Sequence, residues 1–287
     1  MSSLIPLLSN ALSVFMAVLF IPFSAMTYGI DLISAGERTD ISNINIAGAS
    51  AYFYSQGVTA DGESFYFSSK NTLIKTKDDK KTIIAANYSA IPGELTEKYG
   101  TKHIGGISYY NGRIYAGMED SKVFEHPVIG VFDSDTLELE EYYPLDEKNS
   151  AGELLIKKGV PWVAVDPESG YLYAAENNRT PGVIYYYDVN NGMRRAGEIR
   201  LDGEISMIQG AEFYGGRLFL ATNDDTKAVF TLDIGTGKTE KYIDRNLTAG
   251  SEGEGMTVFV KDGKPVIVAL DMGPLFVNAF VREYEFK

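Results

Sequence analysis

The sequence predicts an all-β fold built from five similar repeats, and three observations support this prediction. A strand, a polar turn and a second strand ending in oxygen-bearing side chains recur in residues 55–69, 103–120, 161–178, 208–225 and 252–271. The turn glycines Gly62, Gly112, Gly170, Gly216 and Gly263 lie 46 to 58 residues apart. Aromatic residues make up 12% of the chain, which favours half-buried strands. Strand repeats of roughly 40–50 residues are typical of a β-propeller, in which each repeat forms one four-stranded blade.

The turns of the five repeats support the same assignment. Each contains a dipeptide suited to a two-residue hairpin turn with positive φ: Asp61-Gly62, Asn111-Gly112, Ser169-Gly170, Gly215-Gly216 and Asp262-Gly263. Residues 113–118 and 217–221 alternate as strands do, and only residues 88–102 suggest a short helix. Five blades fill residues 30–287 as one domain, whereas six would need a repeat that the sequence does not show.

The last repeat lacks one strand. The C-terminal segment Phe276–Phe286 provides only the third strand of that blade. We therefore expect a segment within residues 30–47 to supply the fourth, because an unpaired edge would associate with other chains. A ring closed in this way also predicts a monomer.

Residues 1–29 have a different character. No charged side chain occurs from Met1 to Ile30, and the apolar core Ala11–Phe20 has the length of a signal-peptide core. The longer stretch Leu4–Met26 is sufficient for a membrane anchor. A basic start and a small-residue cleavage site are missing, so a signal peptide, an uncleaved anchor and a buried local element all stay open. The first two predict a secreted or extracytoplasmic propeller that touches a membrane only through this segment.

The charge balance narrows the expected partners. The net charge is −13, and no basic stripe is interleaved with aromatic residues, so we do not expect a nucleic-acid partner. Cations are the natural partners of such a chain. The absence of cysteine neither supports nor opposes export.

Propeller geometry brings distant residues to one face. In each blade the start of the inner strand and the end of the next strand emerge on the same side. The inner strands begin near Gln56, His103, Trp162, Gln209, Glu252 and Glu254. The second strands end near Ser68, Glu119, Asp120, Glu176, Asn177, Asn223, Asp224 and Asp271. These side chains predict a polar mouth at one end of the central channel.

The mouth residues suit a hard cation. Carboxylate and amide oxygens are the ligands of Ca²⁺, whereas zinc would need more nitrogen or sulfur than two histidines and no cysteine provide. Ordinary loop capping is the alternative for any single Asp, Asn or Glu at a strand end. Trp162 is either a core residue or a platform for ligand stacking.

The repeat pattern resembles known propeller families. An inner strand opened by Gln-Gly or Glu-Gly and followed by an Asp/Asn-rich strand end is similar to the calcium-dependent group of gluconolactonase, paraoxonase and strictosidine synthase. That resemblance implies a metal site at Glu254, Asn177, Asn223 and Asp271, with His103 carrying protons. Residues 54–57 (Tyr-Ser-Gln-Gly) look like the opening of five-bladed glutaminyl cyclase propellers, and Trp162–Asp188 looks like an olfactomedin blade.

Two function classes follow from the sequence. One is an exported, cation-dependent lactonase or esterase in which Glu254 and His103 are catalytic. The other is a non-catalytic propeller that binds a glycan, peptide, protein or small molecule at the same mouth. In both, we expect Gln56, Trp162, Gln209, Glu252, Glu119 and Asp224 to contact the ligand.

Overall fold

The computed structural model describes residues 22, 25–33, 37–120, 125–177, 182–203 and 205–287. It is a five-bladed β-propeller in which every blade is a four-stranded antiparallel sheet. Blade 1 contains β2 (Val58–Ala60), β3 (Phe65–Ser69), β4 (Thr72–Thr76) and β5 (Ile83–Asn87). Blade 2 contains β6 (His103–Tyr110), β7 (Arg113–Glu119), β8 (Val128–Asp133) and β9 (Leu139–Pro144). Blade 3 contains β10 (Val163–Val165), β11 (Tyr171–Ala174), β12 (Val183–Asp188) and β13 (Arg194–Arg200).

Blade 4 contains β14 (Ile208–Tyr214), β15 (Arg217–Thr222), β16 (Val229–Leu232) and β17 (Thr239–Ile243). Blade 5 contains β18 (Glu252–Lys261), β19 (Lys264–Met272), β20 (Asn278–Glu285) and β1 (Asp40–Ala47). Helix α1 spans residues 25–33, and helix α2 (Gly93–Tyr99) lies within the segment predicted to contain a short helix. Three 3₁₀ turns complete the described elements: Gly48–Tyr54, Val189–Asn191 and Pro274–Phe276.

The predicted ring closure is confirmed. Strand β1 pairs antiparallel with β20, with Ile44 opposite Val281 and Ile46 opposite Ala279. The outer edge of the last blade is therefore provided by the N-terminal part of the propeller, and β20 is left with no open edge.

Three of the five predicted two-residue turns have the expected conformation. Both residues of Asn111-Gly112, Gly215-Gly216 and Asp262-Gly263 have positive φ, as a type I′ hairpin requires. Blades 1 and 3 differ, because Ala60 pairs with Phe65 and Val165 with Leu172. There a longer loop is held by an Asp, such as Asp61, whose Oδ1 accepts N–H bonds from Glu63 and Ser64.

The hydrophobic core is divided among the blade interfaces. Within the described residues, one buried cluster lies between each pair of neighbouring blades. Phe65 and Phe67 of blade 1, for example, pack with Val268 and Leu270 of blade 5. The blades therefore hold one another in place, which fixes the inner strands around the axis.

A collar of glycines narrows the centre at the start of the inner strands. A Cβ on Gly255 would lie 2.5 Å from the Val58 nitrogen, and one on Gly106 would lie 2.9 Å from the Gln209 oxygen, two blades away. The collar consists of Gly57, Gly105, Gly106, Gly210 and Gly255. Register shifts occur at the same level of β6, β14 and β18, as is common where a glycine allows another backbone to approach closely. The mouth thus has a floor made of backbone and is not an open channel at this level.

The chain packs against the propeller upstream of residue 30. Thr27 is fully buried in α1, and its hydroxyl donates to the side chain of Asn278. Whether residues 1–29 form a leader or an anchor stays a prediction, and residues 1–21 lie outside the described part of the chain. No helix among the described residues has the length and apolar character needed to cross a bilayer.

Candidate functional site

A pocket of about 480 Å³ lies above the glycine collar. Its polar lining consists of Ser55, Gln56, Lys70, His103, Glu252 and Glu254. The apolar lining includes Ala49, Tyr52, Met272, Phe276 and Val277. Four of the residues predicted to share one mouth, Gln56, His103, Glu252 and Glu254, therefore do meet. The pocket has a carboxylate-bearing floor and a largely apolar rim.

Glu254 is the most unusual side chain in this pocket. It is only 5% exposed, and no described residue gives it a hydrogen bond or ion pair. Burial, followed by the negative charges of Glu252 and Asp271, raises its pKa well above the usual range, and Arg245 offsets only part of this. These surroundings favour the protonated form of Glu254, whereas a cation in the pocket would favour its carboxylate.

His103 lies at the start of β6 beside a second carboxylate. Its Nδ1 approaches Oε1 of Glu119 to 3.3 Å, although the two atoms lack hydrogen-bond alignment. Glu119 is buried at the end of β7 and pairs with His103 in the sheet. The closeness of the imidazole and the carboxylate makes this pair a candidate for proton transfer.

Asp271 does not line the pocket as the sequence pattern suggested. It is fully buried, and its two oxygens accept bonds from Arg245 Nη1 at 2.7 Å and Arg282 Nε at 3.0 Å. Arg282 Nη2 in turn donates to Asp31 at 2.7 Å. Asp271 therefore belongs to a buried ionic cluster that ties α1 to blade 5, and its oxygens are taken by guanidinium groups.

Asn223 and Asp224 support the backbone near the mouth. The Asn223 side chain accepts a bond from the Gly253 N–H at 3.0 Å. Asp224 accepts bonds from the N–H groups of Thr226 and Lys227, at 2.9 and 3.0 Å. This is the loop-capping alternative that the sequence left open for polar strand ends.

The other predicted contact residues are not part of the pocket lining. Trp162 is fully buried in the cluster between blades 3 and 4, as its core alternative proposed. Gln209 lies at the glycine collar, where its carbonyl faces Gly106. The backbone N–H of Asn177 donates to Lys158 at 3.3 Å. Their roles in ligand or metal binding stay predictions.

The predicted Ca²⁺ site has no ready-made ligand set in the described residues. No three His, Cys, Asp or Glu side chains there are grouped to hold a metal ion. Ser55, Gln56, Glu252 and Glu254 offer oxygens to the pocket, whereas Ca²⁺ takes six to eight. The residues present thus fit only part of a calcium shell, and Ca²⁺ stays a prediction.

Sequence reasoning missed several residues that shape this region. Lys70, just beyond β3, could have been found by extending the strand-end rule by one residue. Tyr52 and Phe276 come from 3₁₀ turns, for which the repeat pattern has no position. Arg282 was recognisable as the only basic residue of the strand predicted to lie in the last blade.

A second carboxyl, on the partly buried residue Glu212, lies on the other side of the collar. Glu212 Oε2 accepts a bond from Thr257 Oγ1 at 2.7 Å, and its Oε1 accepts one from the Phe213 N–H at 3.1 Å. Burial raises the pKa of Glu212 to about 7, although these bonds oppose the shift. The inner strands therefore carry titratable carboxyls on both sides of the glycine collar.

Comparison with known proteins adds little beyond the fold. No protein-family model matches this chain, and no curated protein matches it. A solved chain of a mitotic checkpoint complex is similar with a TM-score of 0.47 and 8% identity, covering 88% of this chain and 96% of that one. The WD40 β-propeller domain of Doa1 is similar with a TM-score of 0.43 and 12% identity, covering 80% and 78%. The five-bladed assignment rests on the strand pairing itself, and the resemblance to the gluconolactonase group stays a prediction.

Proposed function

We propose that this chain is a binding propeller whose mouth pocket takes a small ligand bearing a protonated amine on an apolar body. The observation that carries the proposal is Glu254, a buried carboxyl that lines the pocket without a hydrogen bond or ion pair to any described residue. A buried polar group of this kind is costly unless a partner satisfies it. An ammonium group would provide both the charge and the donors that Glu254 and Glu252 lack.

The rim of the pocket fits the remainder of such a ligand. Tyr52 and Phe276 are each about half exposed at the rim, and Met272 lies beside them. Aromatic faces attract organic cations and also cover apolar chains. The pocket volume of about 480 Å³ lies in the range of small-molecule sites. Lys70 is exposed, so solvent screens its repulsion of the ammonium group.

The proposal predicts that binding releases a proton. The surroundings of Glu254 favour its protonated form in the empty pocket, whereas a bound ammonium favours the carboxylate, so up to one proton leaves per ligand. Calorimetry of hexylamine binding in two buffers of different ionisation enthalpy measures this number. The release should disappear in Glu254→Gln, and the matched control Glu168→Gln, an exposed carboxylate in a distant hairpin turn, should keep it.

A melting assay tests the ligand class directly. Hexylamine should raise the melting temperature of the parent protein, whereas hexanol, which has the same chain without the charge, should not. Equal shifts from both compounds, or an unchanged amine shift in Glu254→Gln, would refute the proposal. Adding Ca²⁺ to chelated protein in the same assay tests the calcium prediction separately.

Hydrolysis is a second candidate, and one observation favours it. Glu254, whose pKa is raised by burial, and His103, which has Glu119 beside it, line the same pocket. In hydrolysis of a lactone or ester, His103 would accept a proton from the water that attacks the carbonyl carbon, and Glu254 would protonate the oxygen that leaves when the C–O bond breaks. Turnover of a lactone and aryl-ester panel should then fall by about 10²-fold or more in Glu254→Gln. No turnover by the parent protein would leave the binding role alone.

A further inference from the structure

Helix α1 has its polar and apolar faces reversed relative to an ordinary surface helix. Thr27 and Asp31, one turn apart, are fully buried against blade 5. Met26, Ile30 and Ile33 share a neighbouring face of the helix and are 49, 37 and 85% exposed. A helix on the surface of a globular protein normally turns its apolar stripe toward the core. The outward stripe therefore calls for an apolar partner.

A loop beside α1 also exposes apolar side chains. Leu275 and Phe276 are 60 and 56% exposed, and both have left-handed backbones, with φ of 67° and 56°. That conformation is unfavourable for residues with a Cβ, and such outliers are concentrated at functional sites. The loop adjoins α1 because Asn278, two residues after Phe276, accepts the bond from Thr27. Two unrelated segments thus present apolar side chains on one side of blade 5.

We infer that this apolar face, formed by Met26, Ile30, Ile33, Leu275 and Phe276, lies on the surface of a lipid bilayer with uncharged headgroups. Residues 1–21, which precede α1 in the sequence, contain no charged side chain, and this composition is compatible with an apolar surface. Exposed apolar side chains grouped on a short helix and a loop insert at the headgroup boundary without spanning the membrane.

The charge of the protein specifies the kind of lipid. Amphipathic helices that bind anionic membranes carry Lys and Arg on their polar face. Here the described part of α1 has no basic residue, and the net charge of −13 would repel an anionic surface. Because Phe276 also lines the mouth pocket, the proposed orientation places that pocket next to the bilayer. The inference rests on α1 and its neighbouring loop and does not depend on the ligand proposed above.

The absence of cysteine makes a direct test possible. Single substitutions Ile33→Cys and Phe276→Cys would each carry an environment-sensitive fluorophore in the full-length chain. Val260→Cys is the matched control, because Val260 is 48% exposed near the far end of β18. Phosphatidylcholine vesicles with a quencher in their acyl chains should quench the first two labels and leave the third unchanged.

A second pair of variants shows whether the apolar face itself makes the contact. Ile30→Gln with Ile33→Gln should raise the lipid concentration for half-maximal quenching at position 276 about tenfold or more. Ile83→Gln with Ile84→Gln, an equal apolar loss on exposed residues of β5, should leave it unchanged.

Three results would overturn the inference. The protein could float with vesicles while the labels at 33 and 276 stay unquenched, which would mean that residues 1–21 alone hold it. It could fail to bind vesicles at all. The labels could also be shielded before lipid is added: with a doubled molecular mass this would assign the face to a second copy, and in a monomer to residues 1–21.

Discussion

Replacing Asp271 by Asn should destabilise the protein strongly, because the change removes a charge without changing the shape. Arg245 and Arg282, whose side chains are 0% and 3% exposed, would lose their shared carboxylate. Arg282 keeps its ion pair with Asp31 at 2.7 Å, so Arg245 is the residue left without a carboxylate partner. Its guanidinium still donates hydrogen bonds to the carbonyls of Thr222 and Lys227. Removing one partner of a buried pair costs about 3–5 kcal/mol, and the retained bonds favour the lower end.

The loss should be visible in thermal and urea unfolding. A change of about 3 kcal/mol corresponds to a melting temperature lower by roughly 6–12 °C in a domain of this size. The control Glu240→Gln removes an equal charge from an exposed pair with Lys238 and should change stability by at most about 0.5 kcal/mol. The stability of Asp271→Asn and that of Glu240→Gln should respond in the same way to chelator and to Ca²⁺. A loss below about 1 kcal/mol together with a lost Ca²⁺ response would show that Asp271 is a metal ligand.

Three further predictions concern the collar and the ring. The pKa of Glu212 is raised to about 7, so the stability from its bound proton is complete below about pH 4 and is lost as pH rises toward 7. Urea unfolding of Glu212→Gln should therefore depend less on pH in this window, and parallel curves for variant and parent would contradict that. Gly255→Ala should cost about 3 kcal/mol or prevent folding, because its Cβ would meet backbone atoms of Gly57 and Val58; Gly93→Ala, with nothing within 4 Å, should be nearly neutral in the same denaturant series. Deleting residues 30–50 should give aggregated protein by size-exclusion chromatography, since β20 would lose its partner, and a folded monomer would argue against ring closure by β1.

The five-bladed architecture was predictable because the conformation of a two-residue hairpin turn depends mainly on the two residues of the turn. Asn111-Gly112 and Asp262-Gly263 specify their turns from adjacent residues alone, and the spacing of such turns gives the number of blades. The loop Asp61–Ser64 was less predictable, because an Asp side chain capping a longer loop resembles the start of a two-residue turn. The sequence therefore predicts the position of a turn better than the number of residues in it.

The site was predictable only in part because side-chain direction depends on register. Position along the strands correctly grouped Gln56, His103 and Glu254 at the mouth. Asp271 lies at the same level, yet it points into the ionic cluster, since neighbouring strand residues face opposite ways. The register shift between Gly253 and Met256 adds to the uncertainty, because a bulge redirects the side chains around it and has no clear sequence signal.

The pairing of β1 with β20 also has a consequence for how the chain folds. Ile46 lies opposite Ala279, so the contact that completes blade 5 joins residues near opposite ends of the sequence. Contacts of such separation form slowly, since a long loop must close before they contribute. Of the propeller strands described, β1 is synthesised first and β20 last. Blades 1 to 4 can therefore form while β1 is still unpaired. The ring becomes cooperative only when β20 has been synthesised and pairs with β1.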